Sequence, residues 1–136
     1  MPKYITLLII LFNLYHCAKQ DEIETFLINP SLVKEKDLLI EVGKEFCIKI
    51  PTFLSSYVLL NKKENSDVIP FQRTDSYTEH YENENLGGRK GYLLYYFKAN
   101  SVTKEHRLLK FTDTYSYLRE KEPKPKLIVK VNVVGK

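Results

Sequence analysis

Ser55 and Ser56 form an adjacent pair of small hydroxyl side chains, held between Leu54 and Tyr57 in the stretch IPTFLSSYVLL (50–60). A serine becomes a nucleophile beside a base, and none is identifiable near this pair. Members of a catalytic triad need not be adjacent in sequence, yet nothing along the chain supports one. Asp75, Glu79, His80 and Glu82 bring carboxylates and an imidazole into one polar run. Their spacing matches no ordinary metal-ligand set. Cys47 falls on the charged side of a strand-like run, where a structural or partly exposed thiol is expected rather than a nucleophile. There is no Gly-x-Ser-x-Gly elbow, no phosphate loop and no paired-cysteine zinc pattern. These residues describe a binding protein, not an enzyme, with no cofactor and no metal.

A second feature is LGGRKGYLLYYFKA (86–99). Gly87 and Gly88 stand before a run packed with tyrosine, leucine and phenylalanine. Such a pair marks a turn feeding a strand, and it also lets main chain lie close to a partner. The elements that would position both features are short strands separated by turn signals. DLLIEV (37–42) is followed by Gly43-Lys44 and then EFCIKI (45–50). In the latter, Phe46, Ile48 and Ile50 share one face, and Glu45, Cys47 and Lys49 the other. Gly43-Lys44 is compatible with a tight hairpin turn whose first position has positive φ.

SYVLL (56–60), GYLLYYFKA (91–99), HRLLKFT (106–112) and KLIVKVNV (126–133) are further candidate strands. GYLLYYFKA is apolar on both faces, which predicts a central strand with Tyr92 to Phe97 in the core. KLIVKVNV turns Leu127, Val129, Val131 and Val133 inward. DVIPFQRT (67–74) holds Pro70, so it reads as an edge strand or a broken one. Residues 19–36 are mixed, with a turn at Asn29-Pro30. NKKENSD (61–67), SYTEHYENENLGG (76–88) and REKEPKPK (119–126) read as polar loops. No run has a clean helical period. The pattern predicts an all-β sandwich of about seven to eight strands.

The chain has 136 residues, enough for one domain with a real core and no need of disulfides. Its formal charge of +4 is mild and scattered. That argues against nucleic acid and anionic membrane as partners and suits steering toward an acidic one. The opening MPKYITLLIILFNLYHCA has Lys3, an apolar run from Ile5 to Tyr15 and small residues at Cys17 and Ala18. This is the pattern of a signal peptide over residues 1–18, leaving 19–136 as a single domain. The run is shorter than the ~20 residues of a membrane span. Cleavage leaves Cys47 as the remaining thiol, hence no internal disulfide. The expected location is the secretory pathway, in lysosome- or phagosome-like vesicles or outside the cell, as a monomer without membrane association.

Three segments occur in a telling order: IKIPTFLSSYVLL, LGGRKGYLLYYFKA, and LLKFTDTYSYLREKEPKPKLIVKVNV. Together they resemble the chagasin-type inhibitors of papain-like cysteine proteases. The resemblance covers roughly Asp37 to Val133. It implies an immunoglobulin-like β-sandwich with three protease-binding loops at one end, blocking the active-site cleft without covalent chemistry. In the first loop Leu54-Ser55-Ser56-Tyr57 stands where the family has Pro-Thr-Thr-Gly-aromatic. Ser55 and Ser56 replace the threonines and Tyr57 the aromatic. In the second, Gly87 and Gly88 match the family's glycine pair, with Asn85 in place of its first glycine. In the third, Asp113-Thr114-Tyr115 lies where Arg-Pro-aromatic is expected, and Tyr115 alone is alike in kind. The implied partner is a papain-like cysteine protease.

Fold does not fix function. A secreted immunoglobulin-like module that has lost inhibition and serves adhesion or another ligand stays open, with Tyr77, Tyr81 and Tyr92 as a sugar-stacking surface.

Overall fold

The computed structural model describes residues 23–52, 55–80 and 89–136. The proposed signal peptide, Leu54, Tyr81, Gly87 and Gly88 lie outside the described residues. The strands are β1 (Glu24–Leu27), β2 (Glu35–Glu41), β3 (Glu45–Pro51), β4 (Tyr57–Leu59), β5 (Phe71–His80), β6 (Arg89–Lys98), β7 (Arg107–Asp113) and β8 (Leu127–Val134). One short helix, α1 (Thr114–Arg119), follows β7 directly. The strands form two four-stranded sheets, ordered β1-β3-β6-β5 and β2-β8-β7-β4. The β1–β3 and β2–β8 pairs are parallel and the others antiparallel. The chain is an all-β sandwich.

Period-two alternation builds the core. Phe46, Ile48 and Ile50 of β3 and Tyr95 and Phe97 of β6 point in from one sheet. Leu38 and Ile40 of β2, Leu109 and Phe111 of β7, and Leu127, Val129, Val131 and Val133 of β8 point in from the other. Tyr95 and Phe111 meet edge to face across the layers at 5.2 Å, and Phe46 stacks on Phe97 at 5.4 Å. These offset geometries suit the ring quadrupoles.

The structure corrects four expectations. Gly43 does have positive φ, at 89°, but it does not close a hairpin. Lys44 donates its backbone N–H to the Glu41 carbonyl at 3.2 Å, so Gly43 is the third residue of the turn. That turn carries the chain from one sheet to the other. Both flanking strands have a core-facing stripe, and a sandwich satisfies both by placing them on opposite layers.

Ser76 to His80, read as loop, extend β5, pairing with β6 as far as His80 and Arg89. An edge strand tolerates polar residues on its solvent side. In β6 only Tyr95 and Phe97 are fully inside, with Leu93 packed against the core. Tyr92, Leu94 and Tyr96 lie half-buried on the outer face. Last, β1 and α1 were not foreseen, being too short to show a period.

Cys47 is 1 % exposed, beneath the outer face where its register neighbour is Tyr96. Burial pushes its thiol up to about 11. It is a structural thiol, inert at neutral pH.

Candidate functional site

Strand register places the ends of three connections together. Pro51 at the end of β3 pairs with Tyr92 of β6. Thr52 continues that ladder by donating its N–H to the Gly91 carbonyl at 2.8 Å. In the second sheet Tyr57, the first residue of β4, pairs with Asp113, the last of β7. The Thr114 N–H donates to the Ser56 carbonyl at 2.9 Å. The connection between β3 and β4 is thus fastened to β6 at Thr52 and to the start of α1 at Ser56. The β5–β6 ladder runs past Tyr77↔Tyr92 through Thr78↔Gly91 and Glu79↔Lys90 to His80↔Arg89. At about 3.3 Å per residue, the hairpin overhangs Pro51 by roughly 10 Å at the same end.

Each candidate residue has a distinct setting. Ser56 is exposed and Ser55 half-buried. Tyr57 is half-buried and its ring packs against the core. Its carbonyl accepts the hydroxyl of Tyr95, whose own ionisation burial pushes up to about 12. Tyr57 is therefore mainly an anchor for the bridge.

Asp113 is 7 % exposed and caps α1, accepting the Ser116 N–H at 3.0 Å. Its other oxygen meets the Lys126 ammonium at 2.5 Å. The lysine, and then the cap hydrogen bond, hold its carboxyl well below the usual carboxylate range. This carboxylate is spent on local structure. Thr114 begins the helix, half-buried. Tyr115 is 65 % exposed, with the Arg119 guanidinium 4.7 Å from its ring centre. Leu118, three residues on and so on the same helix face, is also exposed.

Three features escaped the sequence reading. The first is Gly91: a β-carbon there would stand 2.5 Å from the Thr52 hydroxyl oxygen. The glycine that brings main chain close to the first connection is thus Gly91. The second is the exposed Leu118, hidden because a six-residue helix shows no period. The third is the role of Lys126, which neutralises Asp113 from a segment that reads as polar loop.

The chemistry open to this end is narrow. His106 lies just before β7, at the opposite end from Asp113. The length of β7, roughly 20 Å, separates it from Ser55 and Ser56. Among the described residues no cluster of His, Cys, Asp and Glu could hold a metal. Tyr77 and Tyr92 stack on each other at 5.2 Å. The Lys49 ammonium sits 4.7 and 4.2 Å from their ring centres. One face of each ring is thus turned to the other, and the cation lies close to both. Among the described residues, this end presents small hydroxyls at Ser55 and Ser56 and an exposed aromatic at Tyr115.

Solved structures share this architecture. The cysteine protease inhibitor EhICP2 from Entamoeba histolytica matches with a TM-score of 0.56 at 13% identity, over 84% of this chain and 99% of that one. The fold is chagasin-type. PbICP-C, solved in complex with falcipain-2, matches with a TM-score of 0.51 at 14% identity, over 82% of this chain and 99% of the other. Amebosin matches with a TM-score of 0.50 at 10% identity, over 84% and 100%. No family model and no curated protein matches the sequence. The shared fold is thus carried by a sequence far from those of these three structures.

Proposed function

We propose that this chain is a protein inhibitor of papain-like cysteine proteases, acting through the end of the sandwich where the three connections converge. The observation that carries the reading is the double fastening of residues 52–56, by Thr52 to Gly91 and by Ser56 to Thr114, on a fold shared with a cysteine protease inhibitor. A segment held at both ends enters a cleft with little ordering cost. Ser55 and Ser56 are small enough to let backbone approach a catalytic thiol. No covalent step on the inhibitor is needed in this reading. Tyr115 supplies an exposed aromatic anchor on one flank. The hairpin bearing Gly87 and Gly88 supplies the other. Leu54, Asp113 and Thr114 complete the proposed contact set, with Asp113 acting from behind by shaping the helix.

In this reading the chain enters the secretory pathway by its N-terminal signal, loses residues 1–18 and works as a monomer in lysosome- or phagosome-like vesicles or outside the cell. It is not an enzyme. Titration of papain with the purified domain tests the proposal. Stoichiometric loss of activity is expected; full activity at micromolar inhibitor overturns it.

A further inference from the structure

The corner between β1 and β2, residues 28–34, lies beside the end of β3 and the start of β6. Between them is an open cleft of about 520 Å³, walled chiefly by Ile28, Leu32, Val33, Pro51 and Tyr92. The corner is firmly built. Leu32 and Val33 donate their N–H groups to the Asn29 carbonyl, both at 3.0 Å. The Asn29 side chain accepts the Ser31 N–H at 3.0 Å, and the Lys34 ammonium reaches the Pro30 carbonyl at 3.0 Å. This rigid corner holds Leu32 out in water, 82 % exposed, with Leu27 and Val33 exposed nearby.

Single exposed apolar residues need no explanation, but a contiguous group around a cleft marks an interaction surface. Lys36 and Lys90 also line the cleft, and among the described residues that line it none is acidic. Pro51 and Gly91, which line it too, are the residues from which the 52–56 bridge departs. The cleft is therefore continuous with the contact end.

We propose that this cleft is a fourth contact surface for the protease, receiving an apolar side chain carried on an acidic stretch of the protease outside its catalytic groove. The proposal rests on the inhibitor reading above. Lys36 at the cleft's rim favours an acidic neighbourhood and speeds encounter, while the apolar walls set residence time.

The test titrates papain with the parent chain, with Leu32→Asp, with Lys36→Glu and with a Ser55→Glu/Ser56→Glu variant as the bridge control. Leu32→Asp is expected to raise the inhibition constant at least tenfold through faster dissociation. Lys36→Glu is expected to slow association severalfold and flatten its salt dependence. Both side chains are exposed, so unchanged thermal melting shows that each variant is folded. Hydrogen exchange at residues 28–34 in the parent chain should slow when papain is bound. A bridge variant that loses inhibition while both cleft variants match the parent, with no slowing of exchange at 28–34, overturns the fourth contact and leaves the inhibitor reading standing. A parent chain that does not inhibit overturns both.

Discussion

The backbone N–H of Thr114 donates to the carbonyl of Ser56 at 2.9 Å. This bond joins the bridge between the sheets to the first residue of α1. It makes the position of the small hydroxyl pair depend on whether the helix behind it is formed. The helix in turn depends on Asp113, whose carboxylate caps it.

Asp113→Ala removes that cap. Loss of an N-cap costs about 1–2 kcal/mol, and urea denaturation should show a drop of that order. Inhibition should weaken more than stability alone explains, because Thr114 and Ser56 shift together. A variant that is less stable but equally potent would separate the helix from the bridge.

The same carboxylate sets a pH response. Its folded-state ionisation lies well below the ordinary value of about 3.9. A depressed carboxylate contributes stability above its unfolded pKa and loses that contribution as pH falls through the folded value. Between pH 7 and pH 5 the contribution should stay constant, and below about pH 4 it should decline. Denaturation midpoints of the parent and Asp113→Asn at pH 7, 5 and 3 check this. The gap between them should be similar at the first two values and narrow at the third.

Gly91→Ala places a methyl group against the Thr52 hydroxyl. Overpacking of this kind costs roughly 1–3 kcal/mol. Adding Thr52→Ala removes the clashing oxygen, so the double variant should recover much of the loss. A double-mutant cycle by thermal melting reads the coupling. Additive effects would mean that the two residues do not interact.

Tyr115→Ala truncates an exposed ring and should leave melting within about 0.5 kcal/mol of the parent. Its effect should appear in binding, as a loss of 2 kcal/mol or more if the ring is a central anchor. Equal inhibition constants against papain would remove Tyr115 from the contact set.

Cys47 should resist a thiol reagent at pH 8 in the folded protein and react at once in denaturant, given its burial and raised ionisation. Cys17→Ser isolates the signal. Rapid labelling of the native chain would show that the outer face of the β1-β3-β6-β5 sheet opens readily.

The inward stripes were legible because alternation is a direct image of a two-faced strand. Phe46, Ile48 and Ile50, and Leu127 through Val133, lie where the pattern put them. Sheet membership was not legible around Gly43, since a turn residue reports its own φ and not which partner each flanking strand takes. The polar residues Ser76 to Thr78 hid an edge strand held by main-chain bonds. At the candidate site, Ser56 and Tyr115 are exposed. Asp113 was legible as a position but not as a cap, because its partners Ser116 and Lys126 are set by the fold.

The parallel pairing of β2 with β8 joins Glu35 to Ile128, roughly 90 residues apart in the chain. Closing so long a segment costs entropy before any contact rewards it. The sheet opposite β3 therefore has no complete inner strand pair until β8 has been synthesised. Completion of that sheet is thus held back to a late stage of synthesis. The sheet order that builds the candidate contact end thereby also sets when that end can first exist.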